Sequence, residues 1–157
     1  MAHPLPWMAP LRDVLGEASG LLLALNNLLV QAQSEVGRLG PPAAVQAQGA
    51  VEYAKGEAVV MGEWDAAMKQ NFERQEHRDA EAAALVEELR AMLDRLSNLY
   101  THLLNALRGY ALPYVFQDMD TIHQRIDKLR DRFRDAVRAA AKQGVEGLPS
   151  YEPSPLC

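Results

Sequence analysis

The chain has 157 residues, with 24 Ala and 22 Leu but only 15 β-branched residues, so it is read as one all-α domain. Its net charge of −5 and pI near 5.4 run against a generic nucleic-acid binder, and 48% hydrophobic residues exclude low-complexity disorder. The single cysteine, Cys157, excludes an intramolecular disulfide framework and a Cys-based zinc site.

Prolines and glycines punctuate the chain. Residues 1–9 hold Pro4 and Pro6 and read as an extended N-terminal arm. Pro10, Pro42 and Pro113 read as helix starts, because proline fits only the first turn of a helix. Gly40, Gly109 and Gly144 read as stops. Three long helices follow, at 10–39, 42–108 and 113–143, with a Pro-rich extended tail over 144–157. The connections at Gly40-Pro41-Pro42 and Gly109 to Pro113 are short enough to force antiparallel hairpins.

Helix 1 carries Leu15, Ala18, Leu22, Leu25, Leu29, Ala32 and Val36 at alternating spacings of three and four. Its most apolar run, residues 21–30, is far short of the ~20 apolar residues of a bilayer span and is interrupted by Asn26 and Asn27. No basic cluster directly precedes that run and no Ala-x-Ala follows, so the expected location is the cytoplasm or a virion assembled there.

The long middle stretch changes character along its length. Ala43, Ala47, Ala50 and Ala54 form a small-residue face, with Gly49, Gly56 and Gly62 nearby. Those glycines either admit a close helix neighbour, as Gly16-x-x-x-Gly20 would in helix 1, or weaken the helix. Met61, Trp64, Met68 and Phe72 then make a core stripe. From Glu73 to Glu81 there is no large apolar residue, yet no breaker either, and Asp79 is a cap candidate if the helix divides there. Leu85, Leu89, Met92, Leu96, Leu99 and Leu103 resume the 3-4 spacing. Ile122, Ile126, Leu129 and Phe133 repeat it in helix 3. Sustained 3.5-residue periods imply coiled-coil-like packing, and the width of these stripes favours bundles over a two-stranded coil.

An unbroken middle helix would be roughly 100 Å long at ~1.5 Å per residue, with helix 1 folded on one half and helix 3 on the other. Each end would then be a two-helix hairpin unable to enclose its own leucines, at about 1.5–3 kcal/mol for each one left exposed. Elongated hairpins that self-associate through the fourteen residues Leu15, Leu22, Leu25, Leu29, Leu85, Leu89, Met92, Leu96, Leu99, Leu103, Ile122, Ile126, Leu129 and Phe133 are therefore the expected architecture. A break near Asp79 and collapse into a monomeric four-helix bundle is the alternative.

Searching for chemistry yields little. The histidines (His3, His77, His102 and His123) form no His-x-x-x-His pair and no repeated Glu-x-x-His motif, so no metal or other cofactor is expected. Asp120, His123 and Asp127 share a helical face but read as a solvated flank. No Gly-x-Ser-x-Gly elbow or phosphate-cradling glycine loop is present, and no enzymatic activity is expected. Helix 3 concentrates Arg125, Lys128, Arg130, Arg132, Arg134, Arg138 and Lys142, which could meet phosphates or an acidic partner. Asp127–Arg130, Asp131–Arg134 and Asp135–Arg138 are spaced to use much of that charge internally.

The expected function is a non-enzymatic structural or assembly protein acting through helix–helix oligomerisation, such as a connector, tail or internal head component of a virion. A regulatory or chaperone-like module that accepts a client helix is one alternative, and a packaging factor that uses the basic helix is another.

Overall fold

The computed structural model describes residues 6–74 and 79–144 and contains four long helices. These are α1 (Met8–Val36), α2 (Ala43–Glu73), α3 (Asp79–Leu107) and α4 (Pro113–Lys142). The three expected helices are thus four, because the middle stretch divides. At Arg74 the backbone leaves the helix with ψ 133°, and α3 then runs back along α2.

Expected starts and stops mark most of the helix ends. Pro10 lies in the first turn of α1, Pro42 caps α2, and Pro113 opens α4. α1 stops earlier than Gly40: Gly37 donates its N–H to Gln33, and i→i−3 bonds from Arg38 and Leu39 tighten the last turn. Gly144, at φ +87°, takes the left-handed conformation that glycine adopts just past a helix.

α1 packs on α2 and α4, and α3 packs on the same two helices, so α1 and α3 face each other across the diagonal. Contacts such as Arg12–Phe72, Glu57–Arg95, Tyr100–His123 and Glu17–Arg132 show that each neighbouring pair is antiparallel. The arrangement is an up-down-up-down four-helix bundle.

One core runs the length of the bundle. Leu11, Leu25, Met61, Leu89, Met92, Leu103, Val115 and Phe133 are completely buried in it. Trp7, expected in the extended arm, is 1% exposed and belongs to this core. Of the predicted stripe on α2, Met61, Met68 and Phe72 are buried while Trp64 packs at the margin. The fold-back explains why the chain divides. A rod would give each half of the middle stretch a single neighbour and leave part of its apolar stripe in water, whereas the antiparallel return of α3 along α2 buries the two halves against each other.

Two buried carboxylates tie the helices at defined heights. Asp65 accepts a hydrogen bond from the Ser19 hydroxyl at 2.6 Å and pairs with Lys69 at 3.3 Å, linking α1 to α2. Glu35, at the end of α1, accepts the N–H of Val115 at 2.8 Å and that of Tyr114 at 3.4 Å. α4 has no side-chain cap of its own, so this tertiary contact satisfies two of its free N–H groups.

Candidate interaction face

The fourteen residues expected at an interface between copies all lie inside one chain. Leu15, Leu22, Leu25 and Leu29 of α1, Leu85, Leu89, Met92, Leu96, Leu99 and Leu103 of α3, and Ile122, Ile126, Leu129 and Phe133 of α4 are at most 5% exposed. With four helices instead of three, each stripe finds its partner within the chain. The burial argument for self-association through those stripes therefore lapses.

The basic residues of α4 disperse. Arg130 is buried at 6% exposure, Arg132 pairs with Glu17 on α1, and Arg134 pairs with Asp131 at 3.1 Å. Arg125, Lys128, Arg138 and Lys142 are exposed and make no ion pair among the described residues. Asp131 and Asp135 are exposed on the same helix, so its solvent side carries both signs.

The Asp120–His123–Asp127 trio turns toward α3. His123 lies 3.6 Å from Asp127, and its ring stacks on Tyr100 with centroids 5.7 Å apart. Burial, then the charges of Asp120 and Asp127, raise the Tyr100 hydroxyl above its ordinary pKa. Among the described residues no group of three His, Cys, Asp or Glu could hold a metal ion. His3, His77, Cys157 and the side chain of Asp79, with its expected capping role, lie outside the described residues.

Shallow clefts among the described residues include two on the flanks of α2. One of about 190 Å³ between α2 and α3 is lined by Tyr53, Glu57, Arg95, Asn98, Leu99 and His102. Its polar groups are largely engaged with one another: Arg95 donates through Nε and Nη2 to one Glu57 oxygen at 3.1 and 3.0 Å. Tyr53 and His102 meet ring against ring at 4.7 Å. This cleft is smaller than the ~300 Å³ of even a modest small-molecule site. The second, also about 190 Å³, lies between α1 and α2 and is lined by Arg12, Leu15, Gly16, Lys69, Phe72 and Glu73.

The second cleft opens onto a broader feature that periodicity did not single out. Leu23, Val30, Val45, Val59 and Val60 are 42–73% exposed, and all five lie on α1 or α2. Leu23 and Val30 are seven residues apart, as are Gly16 and Leu23, so these three line one outward stripe of α1. Antiparallel contacts Arg12–Phe72, Ser19–Asp65 and Lys55–Gln33 bring Leu23 level with Gly62, and Val30 level with Gly56. Val59 lies between those two heights on α2.

Glycines keep this face low. A Cβ added at Gly16, Gly49, Gly56 or Gly62 would meet nothing within 4 Å. They therefore do not serve close helix packing inside the chain, as Gly16-x-x-x-Gly20 had suggested; Gly20 does have a neighbour in reach, the Arg125 side chain at 3.4 Å. The available signal was the second heptad register, Gly16-Leu23-Val30, offset by one residue from Leu15-Leu22-Leu29. By length and a mean hydropathy of 1.3, α1 could cross a membrane, but Leu21, Leu22, Leu25, Leu28 and Leu29 are spent in the bundle core. No family model, curated protein or solved structure matches this chain.

Proposed function

We propose that the protein is a non-enzymatic structural or assembly protein that acts by presenting the outward face of α1 and α2 to other protein chains. Exposed Leu23 and Val30 on α1, with exposed Val59 on α2 between their heights, carry this reading. Isolated exposed hydrophobics are ordinary, but several on neighbouring helices mark a contact surface. A rigid bundle with such a face suits a component of a larger particle, a virion among them.

Native mass spectrometry of complexes recovered from the source tests it. The reading expects this chain within complexes of defined composition, dispersed by Val59→Asp while the chain stays helical. Recovery only as a free single chain overturns it. So does a catalytic activity abolished by Arg95→Ala in the α2–α3 cleft.

A further inference from the structure

We infer that the outward face of α1 is a self-complementary surface whose partner is a second copy of this chain, docked antiparallel about a two-fold axis at Leu23. The inference rests on the assembly reading above and names its partner. Three features of the face point the same way.

The first is shape. Gly16 and Val30 lie seven residues either side of Leu23, so a two-fold axis there sets Val30 of each copy against Gly16 of the other. Val30 is a knob, 65% exposed. Gly16 lies in the cleft of about 190 Å³ whose apolar lining is Leu15 and Phe72. α1 thus carries a projecting side chain and, together with Lys69, Phe72 and Glu73 of α2, borders a recess for it, at equal distances along the helix from a central leucine that is 62% exposed. Two such contacts form at once, one on each side of the axis.

The second is charge. From Ala18 to Ser34 α1 has no charged residue, although 24% of the whole chain is charged. Antiparallel docking about Leu23 sets residues 18–28 against themselves and places Arg12, Asp13 and Glu17 opposite uncharged Ser34, Gln33 and Leu29, so like charges are not directly opposed along the helix. Exposed Asn26 and Asn27 supply hydrogen-bonding groups beside Leu23.

The third is size. At ~1.5 Å per residue and helix spacings of ~9 Å, the side-by-side faces of α1 and α2 present roughly 800 Å², about what each partner contributes to a stable interface. The deep stripe of α1 supports the fold, and the register beside it supports the dimer.

Sedimentation equilibrium of the full chain over a micromolar range tests the inference, with circular dichroism as the folding control. A dimer is expected whose association weakens at least tenfold in Leu23→Asp and in Val30→Asp but not in Tyr114→Asp, an exposed α4 control. Cross-linking in a Cys157→Ser background reads the geometry. Leu23→Cys should form a disulfide-linked dimer alone, whereas Gly16→Cys and Val30→Cys should cross-link efficiently only when mixed.

A chain that stays monomeric, or a dimer indifferent to both aspartate substitutions, overturns the inference. Monomer that instead binds phosphatidylcholine vesicles, losing them in Leu23→Asp, overturns it in favour of a membrane surface. If the chain is monomeric yet enters multi-protein complexes that Val59→Asp disperses, the inference fails while the assembly reading stands. If neither self-association nor such complexes occur, both fail.

Discussion

The carboxylate of Glu35, at the end of α1, accepts the backbone N–H of Val115 in the first turn of α4 at 2.8 Å, joining positions 80 residues apart. It substitutes for the local Ser, Thr, Asp or Asn cap that Leu112 does not supply. The negative charge also meets the positive end of the α4 dipole. Removing it in Glu35→Ala is expected to lower unfolding free energy by about 1–3 kcal/mol, since two helix N–H groups lose their acceptor. Urea denaturation checks this. A change of only a few tenths would mean that water replaces the carboxylate at no cost.

Ser19 and Asp65 form the corresponding tie between α1 and α2, at 2.6 Å with Asp65 8% exposed. Ser19→Ala leaves that carboxylate oxygen without its hydroxyl donor and is expected to cost about 1–3 kcal/mol. A double-mutant cycle with Asp65→Ala should return a coupling of about 0.5–3 kcal/mol, and strict additivity would argue against the bond.

Gly49 and Gly56 sit inside α2 with open space where a Cβ would be. Each Gly→Ala substitution is expected to stabilise the bundle by about 0.5–1 kcal/mol, through helix propensity and the unfolded chain's lost freedom. Thermal unfolding of the single and double substitutions is the check. A fall in melting temperature would show that the added methyl meets something in the folded protein.

Tyr100 is 5% exposed, and its pKa is raised from 10.0 by burial and by Asp120 and Asp127. The folded state therefore holds the phenolic proton more tightly than the unfolded chain does. This stabilising effect is intact below pH 10 and is lost as the pH climbs through the raised value. A spectrophotometric titration of the protein minus that of Tyr100→Phe should show the Tyr100 phenol ionising above pH 10.0. The same substitution should soften unfolding above pH 10. A difference titration with its midpoint at or below pH 10.0 would refute the assignment.

The sequence by itself determined the helical class, the starts of α1, α2 and α4 at or beside Pro10, Pro42 and Pro113, and the buried faces of three helices. These features are local. Proline's missing N–H and the 3.6-residue repeat act within a turn or two, so neighbouring residues suffice to read them. The break after Glu73 was not local. Residues 73–81 are good helix formers without Gly or Pro, and only the gain from burying α2 against α3 decides that the chain reverses there. The tertiary structure likewise decided which leucines are free. Leu22 and Leu23 are adjacent in an apolar run, yet one is 5% and the other 62% exposed, because α2 and α4 flank α1 and leave its outer side uncovered. Capping of α4 by Glu35 followed from that same packing. The contacts that distinguish core from face, and a bundle from a rod, arise between residues distant in the chain, so the tertiary structure had to supply them.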